Sequence, residues 1–205
     1  MVPTQLFLLR HGEVESRYHR VFGGRIDMDL SPQGHLQATA LANYFRNKPL
    51  DAIYCSPMKR AQQTLAPILN HFTLAPTTIP DLCEVHFGDW TGLGWQEVQD
   101  RFQVSAFQWL EMLEQGTLPN GECSRTFRSR IEPCLTKIIE DHSGKRVAIV
   151  CHGGVIRMIL SILLHLPLPK LAHFEIEYAS VTHVHHGLNK TEVQLLNFTP
   201  WRDLA

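Results

Sequence analysis

The feature that most restricts how this chain can fold is the run Leu6-Phe7-Leu8-Leu9, which breaks off at once into Arg10, His11 and Gly12. Four consecutive large apolar residues have no polar face to turn outward, so they suit a strand buried on both sides, as in a parallel sheet covered by helices. Arg10 and His11 cannot continue into such a dry layer unpaired, and the strand is expected to release them into a crevice at its carboxyl end. Neighbours on a strand point to opposite faces, so these two converge only if the backbone turns. Gly12 is expected to supply the turn through a positive φ and to let a ligand come close to the chain. Taken alone, the same residues fit an exposed surface turn equally well.

The pattern recurs further along. Residues 51–55 contain Ala52-Ile53-Tyr54, a short second strand, followed by Ser56-Pro57, which reads as an N-cap and first helical residue with Arg60 in the first turn. Residues 146–151 contain Val147-Ala148-Ile149-Val150, a third buried strand that breaks into His152-Gly153-Gly154 ahead of a mostly apolar helix over 155–164. Between these lie a helix opened by Ser31-Pro32, with Ala38, Leu41 and Phe45 on one face, and another over 126–142 in which Pro133 predicts a kink or a restart. Strand and helix alternate through three such units. The expected class is therefore α/β, a three-layer α/β/α sandwich on a mainly parallel sheet, closed by an edge hairpin around Gly187-Leu188-Asn189. Residues 77–87, with Glu84, read as irregular and partly extended. Residues 89–124 interrupt the alternation, and Trp95, Phe102, Phe107, Trp109 and Met112 there suit helices of a small insertion over the crevice, within one domain spanning 1–205.

A net charge of −1 gives no field for nucleic acid or an anionic membrane, so any hold on anions must come from a few gathered cations. The longest apolar stretch, 155–168, is interrupted by Arg157, Ser161, His165 and Pro167, and no segment is expected to span a bilayer. Arg10 cuts the first apolar run too early for a signal peptide, and the five scattered cysteines read as reduced packing thiols. A cytoplasmic protein is expected. His183 and His185 share one face of a strand beside His186, but zinc needs three or four converging ligands, and ordinary strand histidines are the favoured reading. Neither a metal nor a cofactor is expected.

In an open parallel sheet the carboxyl ends lie along one edge, so Arg10 and His11, Arg60 and His152 can converge although far apart in the chain. Two arginines and two histidines make a cationic pocket suited to a phosphoryl group, since guanidinium forks match phosphate oxygens and histidine can act as a nucleophile near neutral pH. An alkoxide leaving phosphorus needs a proton, for which Glu84 is the candidate donor. The loop between Gly12 and Asp29 holds Arg17, Arg20, Gly23, Gly24 and Arg25, which suit presentation of amides and guanidiniums to an anion, solvated arginines being the alternative.

These residues resemble the histidine phosphatase superfamily, which also contains the cofactor-dependent phosphoglycerate mutases. The resemblance rests on Leu9-Arg10-His11-Gly12-Glu13, Gly24-Arg25-x-Asp27 with Leu30-Ser31-x-x-Gly34, and Ser56-Pro57-x-x-Arg60-Ala61-x-x-Thr64. It continues through Glu84-x-x-Phe87-Gly88-x-Trp90-x-Gly92, Gly121-Glu122 and His152-Gly153-Gly154-x-Ile156-Arg157. It implies that His11 is the nucleophile that becomes phosphorylated, that Arg10, Arg60 and His152 hold the phosphoryl oxygens, and that Glu84 acts as acid and then base. The phosphate-binding set it suggests is Arg10, Arg17, Gly24, Arg60, His152 and Gly153. Two departures stand out: Arg17 occupies the place of a usual asparagine, after Ser16 in place of tryptophan, so that either it adds a cation to the pocket or the loop takes another path and the contact is lost, and Val14 occupies that of a frequent threonine. The short segment after Glu84 looks like the phosphatase branch. The resemblance thus implies a phosphomonoesterase of small phosphorylated metabolites, similar to α-ribazole phosphatase or a sugar-phosphate phosphatase. The alternatives are a cofactor-dependent phosphoglycerate mutase and, behind it, a non-catalytic phospho-ligand-binding protein. Glu97, Asp100, Glu111, Glu114 and Glu122 against Arg101 in the insertion speak against the mutase, which must hold a carboxylate. The expected partner is a small-molecule phosphate ester, with no nucleic acid and no membrane, and a homodimer is left open.

Overall fold

The computed structural model describes residues 2–204. From the amino end the chain forms β1 (Thr4–Arg10), α1 (Pro32–Phe45), β2 (Ala52–Cys55), α2 (Lys59–Leu69) and a two-residue β3 (Thr77–Thr78). The interruption carries α3 (Trp95–Phe102) and α4 (Trp109–Gln115), after which come α5 (Ser124–Asp141), β4 (Arg146–Cys151) and α6 (Gly153–Leu164). The chain closes with β5 (Val181–His186), β6 (Thr191–Phe198) and α7 (Pro200–Asp203).

One sheet in the order β3-β2-β4-β1-β5-β6 joins the strands, parallel from β3 to β1 and antiparallel through β5 and β6. The two-residue period of β1 divides the core in two. Leu6 and Leu8 pack with Val147, Ile149 and the α5–α6 side chains Phe127, Ile131, Ile156 and Ile159, whereas Phe7 and Leu9 pack with Val150, Ile53 and Leu41, Phe45 and Leu65 of α1 and α2. Leu6, Leu8 and Leu9 are fully buried, each burial contributing roughly 1.5–3 kcal/mol. This is the expected sandwich, with an apolar run serving helices on both faces.

Local details depart from the sequence reading where tertiary contacts override a motif. The Ser31 hydroxyl does cap α1, accepting from Gly34 N at 2.9 Å. By contrast α2 starts at Lys59 with Met58 as N-cap, which frees Ser56 for another contact. Helix α5 runs through Pro133 as one element. Phe127, Ile131, Leu135 and Ile138 are buried on either side of that proline, and their burial holds the helix across the missing backbone donor.

In the interruption Val98, Leu110 and Leu113 join the α5–α6 side of the core. It is also fastened to the loop after β1: Val21 bridges Gly94, and the Phe22 ring lies 4.9 Å from Phe87 and 5.0 Å from Trp90. No helix among the described residues is long and apolar enough to cross a membrane.

Candidate active site

Sheet register brings the polar strand ends together. Arg10 stands opposite Cys151, so the residues that follow are neighbours: His11 N donates to the Cys151 carbonyl at 3.0 Å, and the His11 and His152 rings lie 5.2 Å apart. Ser56 N donates to the Val150 carbonyl at 2.9 Å, and the Ser56 hydroxyl lies 2.8 Å from His152 Nε2. The serine that resembled a helix cap thus belongs to the site.

Gly12 works differently from the expectation. It does not adopt a positive φ. A Cβ there would sit 2.7 Å from the Gly34 carbonyl oxygen, so the demand for glycine comes from close approach to α1. Its amide donates to the Thr64 hydroxyl at 2.9 Å, and that hydroxyl donates to the Arg60 carbonyl at 2.7 Å, which ties the end of β1 to the first turns of α2. Arg10 and His11 both border the Tyr178 ring, at 4.0 and 5.6 Å, and reach different neighbours beyond it. Arg10 Nε lies 3.6 Å from the place of a Cβ on Gly153 in α6, whereas His11 meets Arg60 of α2.

His11 is 5% exposed. Its Nδ1 is 2.8 Å from the Gly12 carbonyl oxygen, which can only accept, so Nδ1 carries the proton and Nε2 keeps its lone pair. Arg60 Nε donates to that Nε2 at 3.1 Å. Burial, then the charges of Arg60 and Arg10, hold the His11 imidazole well below its ordinary pKa. His152, fully buried, is lowered in the same way by burial, Arg60, His11 and Arg10, and its Nδ1 has no hydrogen-bond partner among the described residues. Both rings are therefore neutral near pH 7.

Arg60 is 2% exposed and fixed by the carbonyls of Ile26 (2.7 Å) and Gly24 (2.8 Å), the latter residue at φ +47°. Burial lowers its pKa, and the Glu84 charge offsets part of that. Arg10 donates from Nη1 to the Ile176 carbonyl at 2.6 Å, lies 4.0 Å above the Tyr178 ring, and keeps a buried Nε without a partner among the described residues. Glu84 accepts from Val85 N at 3.0 Å and from Gly154 N, in the first turn of α6, at 3.1 Å. A Cβ on Gly154 would collide with that carboxylate.

The fold thus gathers Arg10, His11, Arg60, Glu84 and His152, with Gly153 beside Arg10 and Gly24 supporting Arg60 through its carbonyl. It does not bring in Arg17, whose side chain is 68% exposed, pairs with Glu15 at 2.9 Å and lies over the Tyr18 ring. Glu122, counted among the acids of the interruption, is 7% exposed and paired with Arg130 at 2.7 Å, so its charge adds little repulsion. Sequence reasoning missed Tyr178, which flanks Arg10 and lies 5.6 Å from the His11 ring: the alternation over residues 174–198 reads as an edge hairpin and marks no site residue, and the strand itself begins only at Val181. Among the described residues no group of three or more histidines, cysteines and carboxylates could hold a metal ion. What remains is a pocket of two guanidiniums, two neutral imidazoles and one carboxylate. That composition can bind a phosphoryl dianion, offer it a nitrogen lone pair and exchange a proton with its ester oxygen.

Comparison with known proteins agrees with this chemistry. A family model described as the histidine phosphatase superfamily (branch 1) matches residues 6–199. The adenosylcobalamin/alpha-ribazole phosphatase of Salmonella typhimurium is 28% identical, covering 84% of this chain and 86% of its own. Phosphoserine phosphatase 1 of Hydrogenobacter thermophilus is also 28% identical, over 96% of this chain and 93% of its own. Among solved structures, the alpha-ribazole phosphatase from Shigella flexneri superposes with a TM-score of 0.81 at 26% identity, covering 94% of this chain and 96% of that one.

Proposed function

The chain belongs to the histidine phosphatase superfamily and is a phosphoric monoester hydrolase acting on small phosphate esters, and on that premise we propose that hydrolysis runs through a phosphohistidine at His11. The observation that carries this is the state of the His11 ring: Nδ1–H is locked on the Gly12 carbonyl, and Nε2, unprotonated, faces Arg60.

In the first step the phosphoryl group enters between Arg10, Arg60 and His152, and Arg60 turns its Nε hydrogen from the ring nitrogen to a phosphoryl oxygen. His11 Nε2 attacks phosphorus, the ester P–O bond breaks, and Glu84, which enters this step as the carboxylic acid, gives its proton to the departing oxygen and becomes the carboxylate. In the second step Glu84 takes a proton from water, the hydroxide attacks phosphorus, the P–N bond breaks, and inorganic phosphate leaves. The cations spread the charge that builds on the equatorial oxygens in both steps.

Substrates of the kinds for which the relatives are named, α-ribazole phosphate and phosphoserine, are the first to try. We further take the chain as one histidine phosphatase-like domain with residues 89–124 as its insertion, supported by the two core clusters sharing one sheet. The cytoplasm is its proposed setting. Rapid acid-free quenching during turnover of a radiolabelled ester should trap alkali-stable, acid-labile label on the peptide containing His11, and His11→Ala should not be labelled. Label on a serine or cysteine would overturn the assignment.

A further inference from the structure

The Glu84 carboxyl group is held by backbone amides, Val85 N beside it and Gly154 N of α6 across from it, so its place depends on how the course of residues 81–86 sets it against α6. That segment has little regular structure: a 3₁₀ turn at Pro80–Leu82 precedes an irregular run. Its carbonyls therefore lack ladder or helix partners, and leaving such groups unpaired in a partly buried place is costly.

Their partner comes from the second turn of α5. Arg130 Nη1 donates to the carbonyls of Asp81 and Cys83, the latter at 2.7 Å, and Nη2 donates to the carbonyl of Glu84 itself at 3.1 Å. Nε and Nη2 also grip both oxygens of Glu122 at 2.7 and 3.0 Å. Glu122 takes hold of the far side of the segment: its carboxylate accepts from His86 N at 3.2 Å, and its own amide donates to the His86 carbonyl at 2.8 Å. Residues 81, 83, 84 and 86 are thereby pinned by one ion pair, with the guanidinium lying 4.6 Å from the Phe127 ring. The pair is 13% and 7% exposed, so it is weakly screened.

We infer that Arg130, with Glu122 as its anchor, is the positioning residue that sets the Glu84 carboxyl group for proton transfer to the leaving oxygen. The inference rests on the reading of Glu84 as proton donor given above. Arg130 itself is spent on carbonyls and on Glu122; its charge adds a small part to the lowering of the His152 pKa, which lysine would keep, and its hold on the leaving-group side acts through the segment it pins. Lysine would keep the charge but not the planar fork that serves five acceptors at once.

The test is the ratio of kcat/KM for phenyl phosphate to that for p-nitrophenyl phosphate. This ratio does not depend on the folded fraction of a preparation, and kcat/KM reports the step in which the alcohol leaves. Nitrophenolate departs without a proton, whereas phenolate is helped by one. Glu84→Gln should lower the ratio by about 10²-fold, and Arg130→Lys by about 10-fold, a displaced acid losing much of its benefit. Glu122→Gln, which keeps an acceptor of the same shape, should lower it less than Arg130→Lys. If Glu84→Gln lowers the ratio and Arg130→Lys leaves it at the wild-type value, the positioning role is refuted and the reading of Glu84 survives. A wild-type ratio in Glu84→Gln would sink both.

Discussion

Two pairs of histidines sit on this sheet and have come to opposite ends. His11 and His152, 5.2 Å apart at the carboxyl ends of β1 and β4, have Arg60 and Arg10 as neighbours. His183 and His185, 4.7 Å apart on β5, have aromatic company: His183 stacks on Phe7 at 4.1 Å and 9°, and neither Nε2 finds a partner among the described residues. His183 and the site pair share a lowered pKa, His183 falling to about 4 through burial, His185 and Lys48. A depressed histidine is therefore not the mark of the site. What separates the pairs is the use made of the ring: in the site a carbonyl fixes the tautomer and cations frame the free nitrogen, while on β5 the ring faces are the contact and the nitrogens are a liability.

Exchange of residues should break the symmetry completely. His11→Ala is expected to lower kcat/KM by on the order of 10³-fold or more, because no other lone pair stands in its place. His183→Phe should leave kcat/KM within about 2-fold, as its position on β5 is a packing position. Steady-state rates on p-nitrophenyl phosphate decide both. A large loss in His183→Phe with intact folding by circular dichroism would mean that the two pairs are coupled and that the β5 rings serve the site as well as the packing. Next in size, Arg60→Lys should cost about 10²-fold, because a point charge cannot hold Gly24, Ile26 and a phosphoryl oxygen together.

Much of this was legible before the structure, for reasons that can be named. The run Leu6-Phe7-Leu8-Leu9 announces a strand buried on both faces, and parallel strands put their carboxyl ends on one edge, which is why Arg60 and His152 could be placed with His11 from spacing and order alone. Contacts made by long side chains across the fold carry no such period. Arg130 reaches backbone carbonyls 46 to 49 residues away, and nothing in the helix around it marks that reach. Tyr178 lies in a segment without regular structure. Arg17 and Ser56 show where a local pattern leaves the outcome to tertiary contacts: of the two paths open to the arginine in a family asparagine's place it takes the one that turns to Glu15, and the serine before a proline meets His152 while α2 opens at Met58.

The aromatic neighbours offer a finer division between the pairs. Tyr178 lies against Arg10 and near His11, while Phe7 lies against His183. Tyr178→Leu removes a cation–π contact of about 0.5–2 kcal/mol and frees the Arg10 plane, so KM should rise by about 3- to 30-fold, and Tyr178→Phe should restore most of the loss. Phe7→Leu should instead cost roughly 1–3 kcal/mol of stability with little change in KM. If Tyr178→Phe were as poor as Tyr178→Leu, the hydroxyl and not the ring would be the working part.

The smallest expected effect is on pH-dependent stability. The unfolded chain binds a proton at each histidine near pH 6.5, but folded His183 does so only near pH 4. Between those values the unfolded state holds the extra proton, so the stability present above pH 6.5 is lost as pH falls toward 4. His11 and His152, also lowered, act in the same direction, and the wild-type protein should weaken on acidification from several histidines together. His183→Phe removes one share of that loss. Because His183 is only half buried, solvent screening reduces the share to about 1 kcal/mol at pH 5. Urea unfolding of the two proteins from pH 7.5 to 4.5 measures it: the difference in their stabilities should change in favour of His183→Phe only below about pH 6.5. Curves that stay parallel over the whole range would show that His183 titrates alike in both states, and that the β5 ring is not held neutral by its surroundings.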